Sequence, residues 1–171
     1  MGSVRIAVLT ISDRCSRGEA ADVSGASLCE IFSEAPFHVA LYAVVPDSVK
    51  MVAGALKRWS DDGLCDVIVT TGGTGLSPRD VTVAATRKAI DRELPGLAFL
   101  VLLEGLKKTP LAALSQGIAG ARGSTIIVNL PGSPAAVRET AGALAAVLPH
   151  AVQVMAGDDR DHPDATVLSE E

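Results

Sequence analysis

Aromatic residues are scarce in this 171-residue chain: they make up 3% of it, with one Trp, one Tyr and three Phe. A core must therefore be filled by Val, Leu, Ile and Ala, which favours layered α/β packing over an aromatic-rich β-sandwich. Cysteine is sparse and odd in number. Cys15, Cys29 and Cys65 show no Cys-x-x-Cys spacing, which excludes a disulfide framework and a structural zinc site and fits a reducing compartment. Positive charge is in deficit. With a formal net charge of −5, the chain is a poor general binder of nucleic acid, which needs basic surface to displace counterions. No apolar run is long enough to cross a bilayer, and the first residues lead straight into a short apolar segment with no signal-peptide pattern. The expectation is a cytoplasmic protein with neither nucleic acid nor membrane as partner. No two of His38, His150 and His162 stand at metal-ligand spacing, and no nucleophile–base pair can be named.

Hydrophobic residues make up 48% of the chain, enough for one core in one domain. Val4 to Ile11, Val39 to Val45, Asp66 to Thr71 and Ser124 to Leu130 read as short buried strands. Between them, Gly25 to Ser33, Ser48 to Trp59, Val83 to Asp91 and Gly96 to Lys107 read as helices. Val49, Val52, Leu56 and Trp59 recur at the helical period. Pro134, behind Ser133, opens a long Ala-rich helix to Met155. Strands alternating with helices predict an α/β fold, with a parallel sheet covered on both faces. Residues 1–156 are expected to form the domain. Residues 157–171, charged and Pro-containing, read as a surface tail and a candidate for disorder.

Ligands of open α/β sheets bind beyond the carboxyl ends of the strands. The segments there are Ser12-Asp13-Arg14, Pro46-Asp47-Ser48, Gly72 to Asp80 and Pro131-Gly132-Ser133-Pro134. Brought to one edge, they combine carboxylates, arginines, hydroxyls and approachable amides, a kit for phosphate with a divalent cation. The run Thr70-Thr71-Gly72-Gly73-Thr74-Gly75 can curl its amides into an anion nest. It is neither a Walker A loop nor a dinucleotide fingerprint, since no Gly-Lys-Ser/Thr follows and Pro78 stands where a third Gly belongs. Arg79 could fork onto a phosphate and Asp80 could hold Mg²⁺; equally, Asp80 could cap the next helix. Spacing leaves both open. Asp47 on its own reads as a helix cap, and Asp13-Arg14 as a local ion pair. Ser133 reads as an N-cap whose neighbouring amides still face the site. Cys15 sits in a site loop, where a bystander thiol is the plainer reading.

Ile11-Ser12-Asp13-Arg14, Val45-Pro46-Asp47, Thr71-Gly72-Gly73-Thr74-Gly75 running on to Pro78-Arg79-Asp80-Val81-Thr82, Leu94-Pro95-Gly96 and Asn129-Leu130-Pro131-Gly132-Ser133-Pro134 resemble the MogA/MoaB molybdopterin-binding family. They occur in that family's order, from about Val4 to Met155. Thr109-Pro110-Leu111 and the run from Gly123 to Asn129 look particularly like the gephyrin G domain. The resemblance implies a three-layer α/β/α sandwich with a mostly parallel sheet, usually a homotrimer. It also implies an adenylyltransferase that takes molybdopterin and Mg-ATP, releases pyrophosphate and hands its product to a molybdate-insertion protein. Asp47 and Asp80 then become catalytic, with Mg²⁺ handling as their role. Ser12, Asp13, Thr71, Gly72, Gly73, Thr74, Gly75, Arg79, Pro131, Gly132 and Ser133 become nucleotide- or pterin-binding residues.

Two positions depart from the pattern: Gln116 stands where many members have Arg, and Gly105 where many have Ser. A lost Arg removes about 1.5–3 kcal/mol of charge-assisted bonding, for which Arg122 or Lys107 are nearby substitutes. The alternative reading is a non-catalytic, MoaB-like pterin-binding or assembly module. The molybdate-insertion protein and the CinA type lack the Arg-Asp-Val-Thr run.

Overall fold

A computed structural model describes residues 3–157. One sheet holds the strands β1 (Val4–Ile11), β2 (Phe37–Val45), β3 (Val67–Thr71), β4 (Arg92–Glu93), β5 (Ala119–Arg122) and β6 (Thr125–Leu130). Their order is β2-β1-β3-β6-β5-β4. The first four of that order are parallel, and β5 runs antiparallel to both of its neighbours. The helices are α1 (Asp13–Ser16), α2 (Val23–Ile31), α3 (Val49–Asp61), α4 (Thr82–Arg87), α5 (Pro95–Leu106) and α6 (Pro134–Met155), with a 3₁₀ turn over Pro110–Leu114. This is the expected α/β sandwich with a mostly parallel sheet.

The sheet is apolar on both faces because its central strands alternate between two cores. Ile6, Val8, Val67, Val69, Ile126 and Val128 point into a core closed by α2, α5 and α6, where Leu28, Val101, Leu144 and Leu148 are buried. Ala7, Leu9, Ile68 and Ile127 point the other way, onto Val52, Leu56 and Trp59 of α3 and Ala85 of α4. Edge strand β2 changes sides midway. Phe37 and Val39 belong to the first core, Leu41, Ala43 and Val45 to the second. An irregularity between Ile6 and Ala7 causes this, since Val39 pairs with Ile6 and Leu41 with Ala7, leaving Ala40 unmatched. One extra residue turns every following side chain to the opposite face.

Three of the helix starts, those of α2, α3 and α6, sit behind a side-chain cap. Ser48 accepts the Met51 amide at 3.4 Å, Ser133 the Ala136 amide at 3.2 Å and Asp22 the Gly25 amide at 2.9 Å. Three features depart from expectation. The loop expected over residues 12–24 contains α1, held by Ser12 Oγ accepting the Cys15 amide. The helix expected over 83–91 stops at Arg87, because Asp91 donates its amide to Ala121 at the sheet edge. Strands β4 and β5 carry no strand signal in the sequence. Ala119-Gly120-Ala121-Arg122 has no β-branched residue, and it is a strand only because β6 and β4 pair with it. Of the tail expected over 157–171, all but Gly157 lies outside the described residues.

Leu56 is fully buried against the second core, whereas Leu103 is 41% exposed. Leu56→Ala is expected to lower unfolding free energy by about 2–5 kcal/mol and Leu103→Ala by well under half of that. Urea denaturation with an unchanged slope checks both.

Candidate active site

The segments that follow β1, β2, β3 and β6 meet along one edge of the sheet. Two reciprocal bonds join the first pair: Asp13 donates its amide to Asp47 Oδ2 at 2.9 Å, and Asp47 donates its amide to Asp13 Oδ1 at 3.0 Å. Asp47 therefore does not cap α3; Ser48 does. Thr71 donates its hydroxyl to the Pro131 carbonyl at 2.7 Å, joining β3 to the turn after β6. Ser24 of α2 reaches the Gly132 carbonyl at 2.8 Å.

Glycine is required where these segments touch. Gly72 has φ +94, and a Cβ there would stand 2.4 Å from the Ile11 carbonyl oxygen. A Cβ on Gly132 would stand 3.1 Å from the Gly72 Cα. Thr82 holds the loop from its far end, donating its hydroxyl to the Gly72 carbonyl at 2.7 Å and its amide to the Gly73 carbonyl at 3.1 Å. Thr74 is buried, with its carbonyl accepting the Gln116 amide at 2.7 Å.

Asp80 does not cap α4, which starts without a side-chain cap. Its Oδ2 instead accepts the Ser77 amide at 2.7 Å, and Ser77 Oγ accepts the Arg79 amide, closing the loop on itself. A Cβ on Gly75 would stand 2.9 Å from that same Asp80 oxygen. The Arg79 side chain is exposed and makes no ion pair among the described residues. Arg14 is likewise exposed, acts electrostatically on Glu19 and makes no salt bridge among the described residues, so the expected Asp13–Arg14 ion pair does not form.

Two cavities flank the Pro131 to Pro134 turn. The smaller, about 280 Å³, lies between β1, β3 and the first turns of α2 and α6, with Thr10, Ser12, Asp22, Ser24, Thr71 and Gly72 in its wall. The larger, about 530 Å³, is mostly apolar and is enclosed by α5, the 3₁₀ turn and α6, with Phe99, Gly105, Leu111, Ser115, Ser133 and Glu139 in its wall. Cys15 borders the smaller cavity, its thiol facing the Ala21 carbonyl at 3.8 Å. Burial pushes the Cys65 thiol up to about 12 and raises that of Cys29, leaving both protonated.

Several site residues were not singled out in the sequence. Asp22 looks like one of several charges on a polar loop, yet it caps α2 and accepts the Tyr42 hydroxyl at 2.6 Å. Burial first, then that bond, pushes the Tyr42 phenol well above its ordinary value, so it stays a donor. Asn129 is buried and ties three elements together. Its Nδ2 donates to Thr70 Oγ1 at 2.9 Å and Thr86 Oγ1 at 3.0 Å, and its Oδ1 accepts the Ile118 amide. Thr10 and Ser24 carry no spacing signal; only the fold brings them to the cavity.

The two substitutes named for a lost Arg do not reach this edge. Arg122 pairs with Asp61 and Asp91 and sits beside Thr125, at the start of β6 and hence the opposite edge of the sheet. Lys107 pairs with Glu104 on α5. Gly105 packs against the 3₁₀ turn, where a Cβ would stand 2.9 Å from Ala112 Cβ.

Comparison with known proteins places residues 7–150 in the family described as probable molybdopterin binding domain. The chain is 38% identical over 163 residues to a molybdopterin adenylyltransferase of Helicobacter pylori, covering 92% of this chain and 91% of that protein. It is 43% identical over 160 residues to the molybdenum cofactor synthesis protein cinnamon of Drosophila melanogaster, of which it spans 26%. Among solved structures, the molybdopterin biosynthesis enzyme MoaB of Thermus thermophilus superposes with a TM-score of 0.84 at 50% identity, covering 90% of this chain and 97% of that one.

Gly72→Ala is expected to destabilise the fold by at least about 2 kcal/mol, since it adds both positive-φ strain and a backbone collision. Gly75→Ala, which meets only one side-chain oxygen, is expected to stay within about 1 kcal/mol of wild type. Thermal melts of the two variants side by side test this.

Proposed function

The chain belongs to the MogA/MoaB molybdopterin-binding family, and from that premise we propose that it adenylylates molybdopterin with Mg-ATP and releases pyrophosphate. The observation that carries the proposal is the reciprocal Asp13–Asp47 clasp. It sets two carboxylates side by side at the edge where glycine amides and a helix N-terminus attract anions.

In the reaction, a molybdopterin phosphate oxygen forms a bond to the α-phosphorus of ATP, and the bond from that phosphorus to the bridging oxygen breaks, expelling pyrophosphate. The attacking oxygen is already anionic, so no base is needed. Positioning and charge neutralisation carry such a transfer. The apolar cavity beside α5 suits the pterin, and the more polar cavity beside α2 suits the nucleotide. Both open at the Pro131 to Ser133 turn, where the phosphates would lie between the Gly72-Gly73 backbone and the first turn of α6. Arg79, exposed and unpaired, is the side chain available to follow a phosphate.

The donor chemistry fits Mg²⁺. Asp13 and Asp47 each spend one oxygen on the clasp, and Asp80 spends one on Ser77; Asp13 Oδ2, Asp47 Oδ1 and Asp80 Oδ1 accept no hydrogen bond among the described residues. Mg²⁺ takes one or two carboxylates and completes its shell with phosphate and water; among the described residues no three or more His, Cys, Asp or Glu come together as a metal-holding group. Bound there, the ion would neutralise triphosphate charge. Asp47 and Asp80 remain the proposed ligands, with Asp13 adjoining.

The alternative is a non-catalytic pterin-binding module, favoured by Gly105 and Gln116 in and beside the apolar cavity. A homotrimer that passes its product to a molybdate-insertion protein belongs to the proposal, as does a cytoplasmic location. No helix of the described residues is long and apolar enough to cross a membrane.

Asp47→Asn keeps an oxygen for the Asp13 amide but removes the charge, so the clasp should survive. With molybdopterin and Mg-ATP, wild type is expected to form adenylylated molybdopterin and pyrophosphate. Asp47→Asn and Asp80→Asn should each slow turnover by about 100-fold or more. Pterin binding without product in the wild type, under conditions where a known active enzyme works, would establish the binding-module reading instead.

A further inference from the structure

Asn129 is buried near the end of β6, a strand with no exposed residue, where an apolar side chain would pack without polar cost. A buried amide is unfavourable unless its bonding capacity is used. Asn129 uses its donors in full: one Nδ2 proton goes to Thr70 on β3, the other to Thr86 on α4. The bond to Thr70 joins residues that the sheet already pairs. The bond to Thr86 adds something the sheet does not supply, a grip of β6 on α4.

Helix α4 needs that grip. It is six residues long, starts without a side-chain cap and buries only Thr82, Ala85 and Thr86. So short a helix is unstable alone, and one buried alanine adds little apolar area. Thr82 and Thr86 stand one turn apart and so share a face. Thr82 donates its hydroxyl to the Gly72 carbonyl, and Thr86 accepts from Asn129. The helix thus hangs from two points, the loop after β3 and the strand β6. With one released, it can turn about the other. Asp80 would turn with it. The Ser77 amide bonds Asp80 Oδ2 and the Asp80 amide bonds the Ser77 carbonyl, so this loop is one closed piece. Only Val81 separates it from α4.

We propose that Asn129, acting through Thr86, is a positioning residue that sets where the Asp80 carboxylate stands at the sheet edge. The proposal rests on the adenylyltransferase reading, in which Asp80 is a Mg²⁺ ligand, and adds what holds that ligand in place. Asn129 works only through the helix.

Thr86→Val removes the acceptor on α4 and keeps the shape of the side chain. Thr125→Val is the control, since Thr125 is as deeply buried and bonds the Cys65 carbonyl at the opposite edge of the sheet. One readout is the Mg²⁺ concentration that gives half-maximal pyrophosphate release from molybdopterin and ATP. The other is native-state hydrogen exchange of the Ala85 and Ile90 amides, which bond the Val81 and Thr86 carbonyls. In Thr86→Val the Mg²⁺ midpoint should rise and the exchange quicken, each by about three- to tenfold, the worth of one such hydrogen bond. Saturating Mg²⁺ should restore most of the turnover. Thr86→Ser, which keeps the hydroxyl, should match wild type in both readouts, and Thr125→Val should move neither. A Thr86→Val protein with a lower plateau at an unmoved midpoint has only lost folded enzyme, which would overturn the proposal and leave the adenylyltransferase reading standing. Exchange that stays at the wild-type rate, or a midpoint that Thr125→Val raises as much, would do the same. Wild type that forms no product would remove both readings together.

Discussion

The Ile11 carbonyl oxygen stands 2.4 Å from where a Cβ on Gly72 would be, and a Cβ on Gly132 would stand 3.1 Å from the Gly72 Cα. Three strand ends, those of β1, β3 and β6, can meet only because no side chain stands between them. The rest of the site depends on this contact. It lets Thr71 reach Pro131, sets Ser24 against Gly132 and places the start of α6 beside the glycine loop. A larger residue at position 72 would push the loop off β1 and disturb the smaller cavity, in whose wall Gly72 stands. The stretch from Thr70 to Gly75 is therefore a packing element before it is a binding loop, and its approachable amides are a consequence of that packing.

The Asp13–Asp47 clasp is the second constraint. Each carboxylate is held by the backbone amide of the other residue. Folding has therefore oriented these carboxylates before any ligand arrives, so a cation would find ligands already placed and little reorganisation to do. Asp80 is oriented by a separate device, the Ser77 to Asp80 loop, which draws on no other strand.

Much of this was legible in the sequence because it follows from period and punctuation. The continuous apolar runs of β1, β3 and β6, which lack polar alternation, mark buried strands, and Ser133-Pro134 marks the start of α6. The glycine run marks a close backbone approach. Less legible was whatever depends on pairing at a distance. Strand β5 consists of Ala, Gly and Arg, and Gly120 is needed because a Cβ would meet the Arg92 carbonyl at 2.7 Å. That requirement is invisible until β4 lies alongside. The unmatched Ala40 in β2 likewise leaves no local mark, although Phe37, Val39, Leu41, Ala43 and Val45 read as one continuous face. Asp22 reads in the sequence as a solvated-loop residue because its partners, Tyr42 and the cavity, come from other elements.

The departures at Gly105 and Gln116 belong to one piece of packing. Gly105 is buried under the 3₁₀ turn, with Ala112 where a serine side chain would need to go. Thr109 donates its amide to the Gly105 carbonyl, so the turn is pinned to α5 at the same point. Four residues past Ala112, the Gln116 amide donates to the Thr74 carbonyl, and the Ser115 hydroxyl lies 3.4 Å from Thr74 Oγ1. The 3₁₀ turn is thus fastened at one end to α5 and at the other to the glycine loop. A serine restored at position 105 would press on Ala112 and, through the turn, on Thr74. An arginine restored at position 116 would leave both fastenings in place, because that residue is held by its backbone and its side chain is exposed. Polar reach into the apolar cavity is then left to Thr109, Ser115, Ser133 and Glu139. On the proposed reading these side chains must supply the pterin's hydrogen bonds in this chain, with Glu139, as an acceptor, suited to the amino and ring N–H groups.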